Sequence, residues 1–184
     1  EHFADNILLM LSDDNYGVLL ALLQLMSSAL LTTSNCDEEY DFDIKDIFIP
    51  TVPTLVTLLR NLLVHKPQYG DPYGYAVVPL LQVQILSVLR CLVGAQIEIS
   101  KDLQDALALV LATPDNSQKG RDAVLYECVH TIMVIQSGKE LKDSAVNLLG
   151  TFLLSDDNNI RYVGFEMLSK YLSETGPSSI QQHR

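Results

Sequence analysis

Apolar residues recur every three or four positions along nearly the whole chain, and no stretch sustains the strict alternation of a half-buried strand. The pattern predicts an all-α protein. Helices are expected at about residues 3–11, 14–32, 44–64, 80–94, 101–112, 121–136, 140–154 and 157–173, with a further start near Ser178. Leu103, Ala106, Leu107, Val110 and Leu111 share one helix face, as do Leu125, Val129 and Ile132, and again Ile160, Val163, Met167 and Tyr171. Each of these helices has a stripe to bury. The segment 14–32 differs, because Val18, Leu19, Leu20, Leu22, Leu23, Leu25 and Met26 cover nearly the whole circumference. A helix apolar all round is expected to be covered on more than one side, as the inner helix of a stacked array is.

Connections are short at 93–101, Ser137-Gly138 and 155–157, which favours antiparallel neighbours. Two are longer: an acidic loop at 33–43 with Asp37, Glu38, Glu39, Asp41 and Asp43, and a Pro/Gly loop at 65–79 with Pro67, Gly70, Pro72, Gly74 and Pro79. Pro50 and Pro53 are expected to break or bend the helix at 44–64 near its start, so that it begins at Thr51.

The pentapeptide Leu-Ser-Asp-Asp-Asn occurs twice, at 11–15 and 154–158, each time before an apolar helix. The second copy opens the sixth helix after the first, so three helix pairs separate them. The offset from Leu11 to Leu154 is 143 residues, or roughly 48 per pair, slightly above the ~40–47 of HEAT or armadillo units, and the two long loops account for the excess. Ser or Asp at such a corner caps the exposed amides of the first turn, and its carboxylates oppose the helix dipole. Asp157 also stands four residues before Arg161, the favourable order for an ion pair along a helix.

Composition narrows the functions. With 48% apolar residues in 184, the chain can build a continuous core, and disorder is not the expectation. It opens on Glu1 and stops at Arg184 soon after a polar stretch begins, which suggests a piece of a longer chain. Twelve Lys and Arg against 23 Asp and Glu give a net charge of −11 with no basic cluster. This argues against nucleic acid and against direct binding to anionic lipid, while leaving open a membrane role supplied by partners. Cys36, Cys91 and Cys128 are unclustered and read as free thiols. The most apolar run, 18–31, fits a buried core helix better than a membrane span.

No constellation points to catalysis, a cofactor or a metal. Asp13-Asp14 and Asp156-Asp157 could be metal or acid-base carboxylates, but they stand at helix starts without His or Cys neighbours or calcium-loop spacing, and capping explains them better. Glu127 and His130 have the Glu-x-x-His spacing of di-iron bundles, yet no second such motif exists. His2, His65 and His183 stand alone. Cys-x-x-Cys, phosphate-cradling glycine loops and Gly-x-Ser-x-Gly elbows do not occur.

Several segments in order resemble the trunk of the large adaptins. They are "GVLLALLQL" from Gly17, "VPTLVTLLRNLL" from Val52, "LQVQILSVLRCL" from Leu81, "AVLYECVHTIMVI" from Ala123 and "NLLGTFLLSDDNNIRYVGFEML" from Asn147. The likeness is to the gamma class first and to the epsilon class second, the latter through "ECVHT" at 127–131. The acidic loop is longer than a gamma adaptin leads one to expect, and "AVVPLLQVQ" lacks an aromatic after the proline. The resemblance implies a right-handed α-solenoid of HEAT/armadillo-like repeats, of which residues 1–184 are the middle portion of an N-terminal trunk. It further implies beta, medium (mu) and small (sigma) adaptin partners and recruitment to trans-Golgi network, endosome and coated-vesicle membranes by an Arf-family GTPase. Clathrin would bind through regions outside this chain. No catalytic, cofactor or metal residue is transferred. The competing readings are another helical-repeat scaffold, such as a nuclear transport receptor or phosphatase scaffold, and an enzyme whose pocket gathers polar groups from distant helices.

Overall fold

The structure, a computed structural model, describes residues 2–34, 44–64, 72–94, 100–113, 120–135 and 137–175. These form α1 (His2–Met10), α2 (Tyr16–Ser34), α3 (Ile44–Phe48), a 3-10 turn at Ile49–Thr51, α4 (Val52–Val64), α5 (Pro72–Val93), α6 (Lys101–Ala112), α7 (Arg121–Val134), α8 (Lys139–Leu153) and α9 (Asn158–Thr175). No strand occurs among the described residues. The all-α expectation therefore holds. The chain divides into two compact units, Glu1–Gln136 and Ser137–Arg184.

The first unit has two layers. Helix α2 packs on α5 and α5 on α7, while α4 packs on α5 and α6, and α6 on α7. One row thus runs α2, α5, α7 and the other α4, α6, which is the helix-pair stacking of an α-solenoid. Between the rows lie Leu23, Met26 and Leu30 of α2, Leu55 and Leu59 of α4, Leu81, Ile85 and Leu89 of α5, and Leu103 and Leu107 of α6, all fully buried. Buried polar side chains tie neighbouring helices both between the rows and within one. Gln82 Nε2 donates to the Leu62 carbonyl at the end of α4 (3.3 Å), and the Thr131 hydroxyl of α7 lies between two carbonyls, that of Glu127 in its own helix (2.8 Å) and that of Leu86 in α5 (3.3 Å).

The two prolines bend the 44–64 segment as expected, and α4 begins at Val52, one residue after Thr51. Neither Pro50 nor Pro53 can donate a helical N–H, so the chain tightens into a 3-10 turn, and Thr51 Oγ1 donates to the Phe48 carbonyl at 2.6 Å. Ile44–Val64 is long and apolar enough to cross a membrane by length and composition. In this fold its stripe Leu55, Val56, Leu59 and Leu62 is buried in the core.

Three expectations are corrected. Residues 72–79 of the expected Pro/Gly loop are helical: Pro72 takes the first helical position, where its fixed φ suits the turn and its missing N–H costs nothing. Pro79 lies inside α5, where the preceding Val78 and, two residues on, Leu81 are buried while Leu80 between is exposed. Gly120 closes against it with φ +98°, and a Cβ at Gly120 would stand 3.1 Å from Pro79 Cβ. Second, α2 runs on to Ser34, so 33–34 are helix, while 35–43 lie outside the described residues. Third, α2 is covered on one side and not all round: Leu19, Leu22, Leu23, Met26 and Leu30 are buried, but Leu25 and Leu31 are more than half exposed. Apolarity alone does not measure cover; among the described residues the main neighbours of α2 are α1, α3 and α5.

In the second unit α8 packs on α9. Gly164 lets them approach, since a Cβ there would stand 3.1 Å from Phe152 Cβ and 3.3 Å from Leu153 Cδ2. The expected helix near Ser178 lies outside the described residues.

Candidate functional site

Lone charges inside apolar helices become the polar contacts between them. Arg90 of α5 reaches Glu127 of α7, with Nη2 and Nε donating to Oε1 at 2.8 and 3.1 Å. Arg121, buried at the start of α7, donates through Nη2 to the carbonyls of Val110 and Thr113 (2.9 Å to Thr113), where α6 runs out of helical N–H partners. Arg60 of α4 donates through Nη2 to the Asp102 carbonyl at 3.1 Å and lies 4.0 Å from the carboxylates of Asp102 and Asp105 on α6. Each arginine thus joins a different pair of helices. Sequence reasoning missed all three. The available signal was the cost of burying an unpaired charge, which makes Arg90 in "SVLRCLV" and Glu127 in "LYECVH" demand partners.

Glu127 is therefore an ion-pair partner and not half of a di-iron motif, and His130 stacks obliquely on Tyr126, with ring centroids 6.1 Å apart. No group of three or more His, Cys, Asp or Glu gathers to hold a metal among the described residues. Cys91 and Cys128 are free thiols. Burial pushes the Cys128 thiol far up, with Arg121 opposing and Glu127 adding to the shift. His65, His183, Cys36 and the acidic residues of 35–43 lie outside the described residues.

The repeated corner is a cap in both copies, but the copies are out of register by one residue. At the first, Asn15 is the N-cap: its Oδ1 accepts from the amides of Gly17 (2.8 Å) and Val18, and its carbonyl accepts from Leu19. At the second, Asp157 is the cap, its Oδ1 accepting from Asn159 (2.7 Å) and its carbonyl from Arg161. Two residues earlier the same bond recurs, from the Asn15 amide to Asp13 Oδ1 (2.7 Å) and from the Asp157 amide to Ser155 Oγ (3.2 Å). The capping expectation holds at Asp157, whereas at the first corner the cap is Asn15 and not the Asp13-Asp14 pair, and the helix opens after Asn15 and not at Asp14. The expected Asp157–Arg161 ion pair is replaced: Arg161 donates to the Ser155 carbonyl (2.9 Å) and to Asn158 Oδ1. Asp157 is already committed to the first-turn amide, which leaves Arg161 the orphan acceptors of the corner.

Taken together, these contacts fix helices against helices, and among the described residues they bring no acid, base and nucleophile together. The description "Adaptin N terminal region" matches residues 1–184. The chain is 36% identical over 184 residues to the AP-1 complex subunit gamma of Dictyostelium discoideum, covering all of this chain and 20% of that protein. It is 42% identical over 139 residues to the AP-1 complex subunit gamma-like 2 of Homo sapiens (74% of this chain, 17% of that protein). Similarity to the AP-4 complex subunit epsilon-1 of Mus musculus is weaker, at 31% over 131 residues (71% and 12%). The chain thus spans a fifth or less of the length of these relatives. On a match that runs its full length, the chain belongs to the adaptin N-terminal region family.

Proposed function

We propose that this chain is the middle portion of the trunk of a gamma-type large subunit in an AP-1-like clathrin adaptor complex, a non-catalytic scaffold in vesicle-mediated transport between trans-Golgi network and endosomes. The observation that carries the reading is the likeness of all 184 residues to an AP-1 gamma subunit. The layered helices support it, because a docking scaffold needs a surface held in fixed register, and the Arg90–Glu127 and Thr131–Leu86 contacts pin adjacent helices of one row.

On this reading the partners are a beta-type large subunit and the medium (mu) and small (sigma) adaptins. An Arf-family GTPase brings the complex to the membrane, and clathrin is engaged by regions beyond these residues. The protein acts in the cytoplasm, peripheral to trans-Golgi, endosomal and coated-vesicle membranes. A net charge of −11 without basic clusters makes nucleic acid a poor partner and makes membrane attachment indirect.

Co-precipitation of the full-length parent with sigma-type chains tests the proposal. Association with the AP-1 sigma chain is expected; pairing only with the AP-4 sigma chain would reassign the protein to the epsilon class, and pairing with neither would overturn the adaptor reading.

A further inference from the structure

A groove of about 390 Å3 lies in the first unit between α4, the end of α5 and the first turn of α6. Its volume is in the range of sites that enclose a small ligand or a side chain. Val56, Val93 and Leu103 are buried beneath it, and Ile49 and Val52 are half-buried beside them. Thr57, Arg60, Ser100 and Asp102 stand at its open side. The floor is therefore apolar and the rim polar.

The rim offers donors and acceptors side by side. Arg60 uses Nη2 on the Asp102 carbonyl, leaving Nε and Nη1 without a partner among the described residues. The Ser100 oxygen accepts from the Leu103 amide, so its hydroxyl proton is left to donate. The Thr57 hydroxyl donates to the Pro53 carbonyl at 2.9 Å, so its oxygen is left to accept. The Asp102 carboxylate is 80% exposed and accepts as well.

Charge decides what fits. One arginine and one aspartate make the lining neutral in a chain of net charge −11. A phosphate or carboxylate approaching Arg60 would meet Asp102 and Asp105, both 4.0 Å from the same guanidinium nitrogen. An extended peptide meets no such repulsion: its alternating C=O and N–H groups find Arg60 and Ser100 as donors and Asp102 and Thr57 as acceptors, as strand-like peptides find a sheet edge.

We propose that this groove docks a short, neutral, extended segment of a partner polypeptide, one branched aliphatic side chain of which sits over Val56, Val93 and Leu103. The site does not depend on which complex the chain belongs to, so it and the adaptor reading can fail separately.

The test is methyl NMR on the full-length parent, titrated with capped pentapeptides Ser-Thr-X-Thr-Ser in which X is Leu, Ile, Ala or Asp. The Leu and Ile peptides are expected to shift the Val56, Val93 and Leu103 methyls saturably, with at least tenfold weaker binding for Ala and Asp. Thr57→Trp, at an exposed helix position, fills the mouth and should abolish the shifts while the melting temperature stays unchanged. Arg60→Met should weaken binding several-fold. No saturable shift, equal affinity for Leu and Ala, or shifts indifferent to Thr57→Trp would overturn the proposal. So would shifts produced only by phosphatidylcholine or phosphatidylserine vesicles, or only by raising the protein concentration, since these point to lipid or to a second copy.

Discussion

Arg90 and Glu127, 37 positions apart in sequence, share a forked contact in which two guanidinium nitrogens converge on one carboxylate oxygen. Their side chains are 22% and 11% exposed, so water screens the pair only in part. Such a contact holds α5 and α7 in register, and its two halves cannot be lost independently. Glu127→Leu should destabilise the chain by about 2–3 kcal/mol, because it leaves Arg90 charged and half-buried. Adding Arg90→Met should recover most of that loss. Urea denaturation of the two single variants and the double variant measures the coupling, and additive losses would show that the pair does not act as a unit.

The one-residue slip between the repeated corners separates four acidic or amide side chains that look alike in sequence. Asn15→Ala and Asp157→Ala should each cost about 1 kcal/mol, since each removes the acceptor of a first-turn amide. Asp14→Ala and Asp156→Ala remove no such acceptor and should stay within about 0.5 kcal/mol of the parent. Chemical denaturation of the four variants checks the order. If Asp14→Ala and Asn15→Ala lost equally, the cap would not be where Asn15 Oδ1 stands.

Cys128 gives a pH dependence whose sign follows from burial. The native thiol holds its proton far above the ordinary thiol range, whereas in the unfolded chain it ionises near its usual pKa of about 8.5. Below that value both states bind the proton and the group has no effect on the pH slope. Above it the unfolded state binds fewer protons, so stability should fall with rising pH by up to about 1.4 kcal/mol per unit from this one group. Cys128→Ala should flatten the alkaline slope. Thiol-reagent kinetics supply a second reading: native Cys128 should label only as fast as the protein opens, and Cys91, which is partly exposed, should label first.

The helices were legible because their cores are leucine-rich and amphipathic over a dozen residues or more; Leu103, Ala106, Leu107 and Val110 fall on the expected face and are all buried. The bend at Pro50 and Pro53 was legible for a similarly local reason, the missing N–H. What escaped depends on distant partners. Pro79 reads as a loop residue until Gly120 closes on it from 41 positions away, and Leu25 reads as core until the neighbours of α2 are known. The contacts of Arg60, Arg90 and Arg121 were illegible individually, since sequence shows that a buried charge needs a partner without showing which one.

Leu22 and Leu25, one turn apart on α2, carry the sharpest contrast in the fold: the first is 3% exposed and the second 55%. Sequence treats them as equivalent, and only packing against neighbouring helices separates them. Leu22→Asp removes a buried aliphatic side chain and places a carboxylate in a position shut off from water. Both terms act in the same direction, so the loss should exceed about 4 kcal/mol, enough to unfold a domain of ordinary stability. Leu25→Asp puts the same charge into water and should change stability by less than about 1 kcal/mol. Thermal melting with far-UV circular dichroism distinguishes the two. Equal tolerance of both would mean that α2 turns a different face to its neighbours, with Leu22 outside the core. Equal loss would mean that Leu25 is covered by chain beyond the described residues.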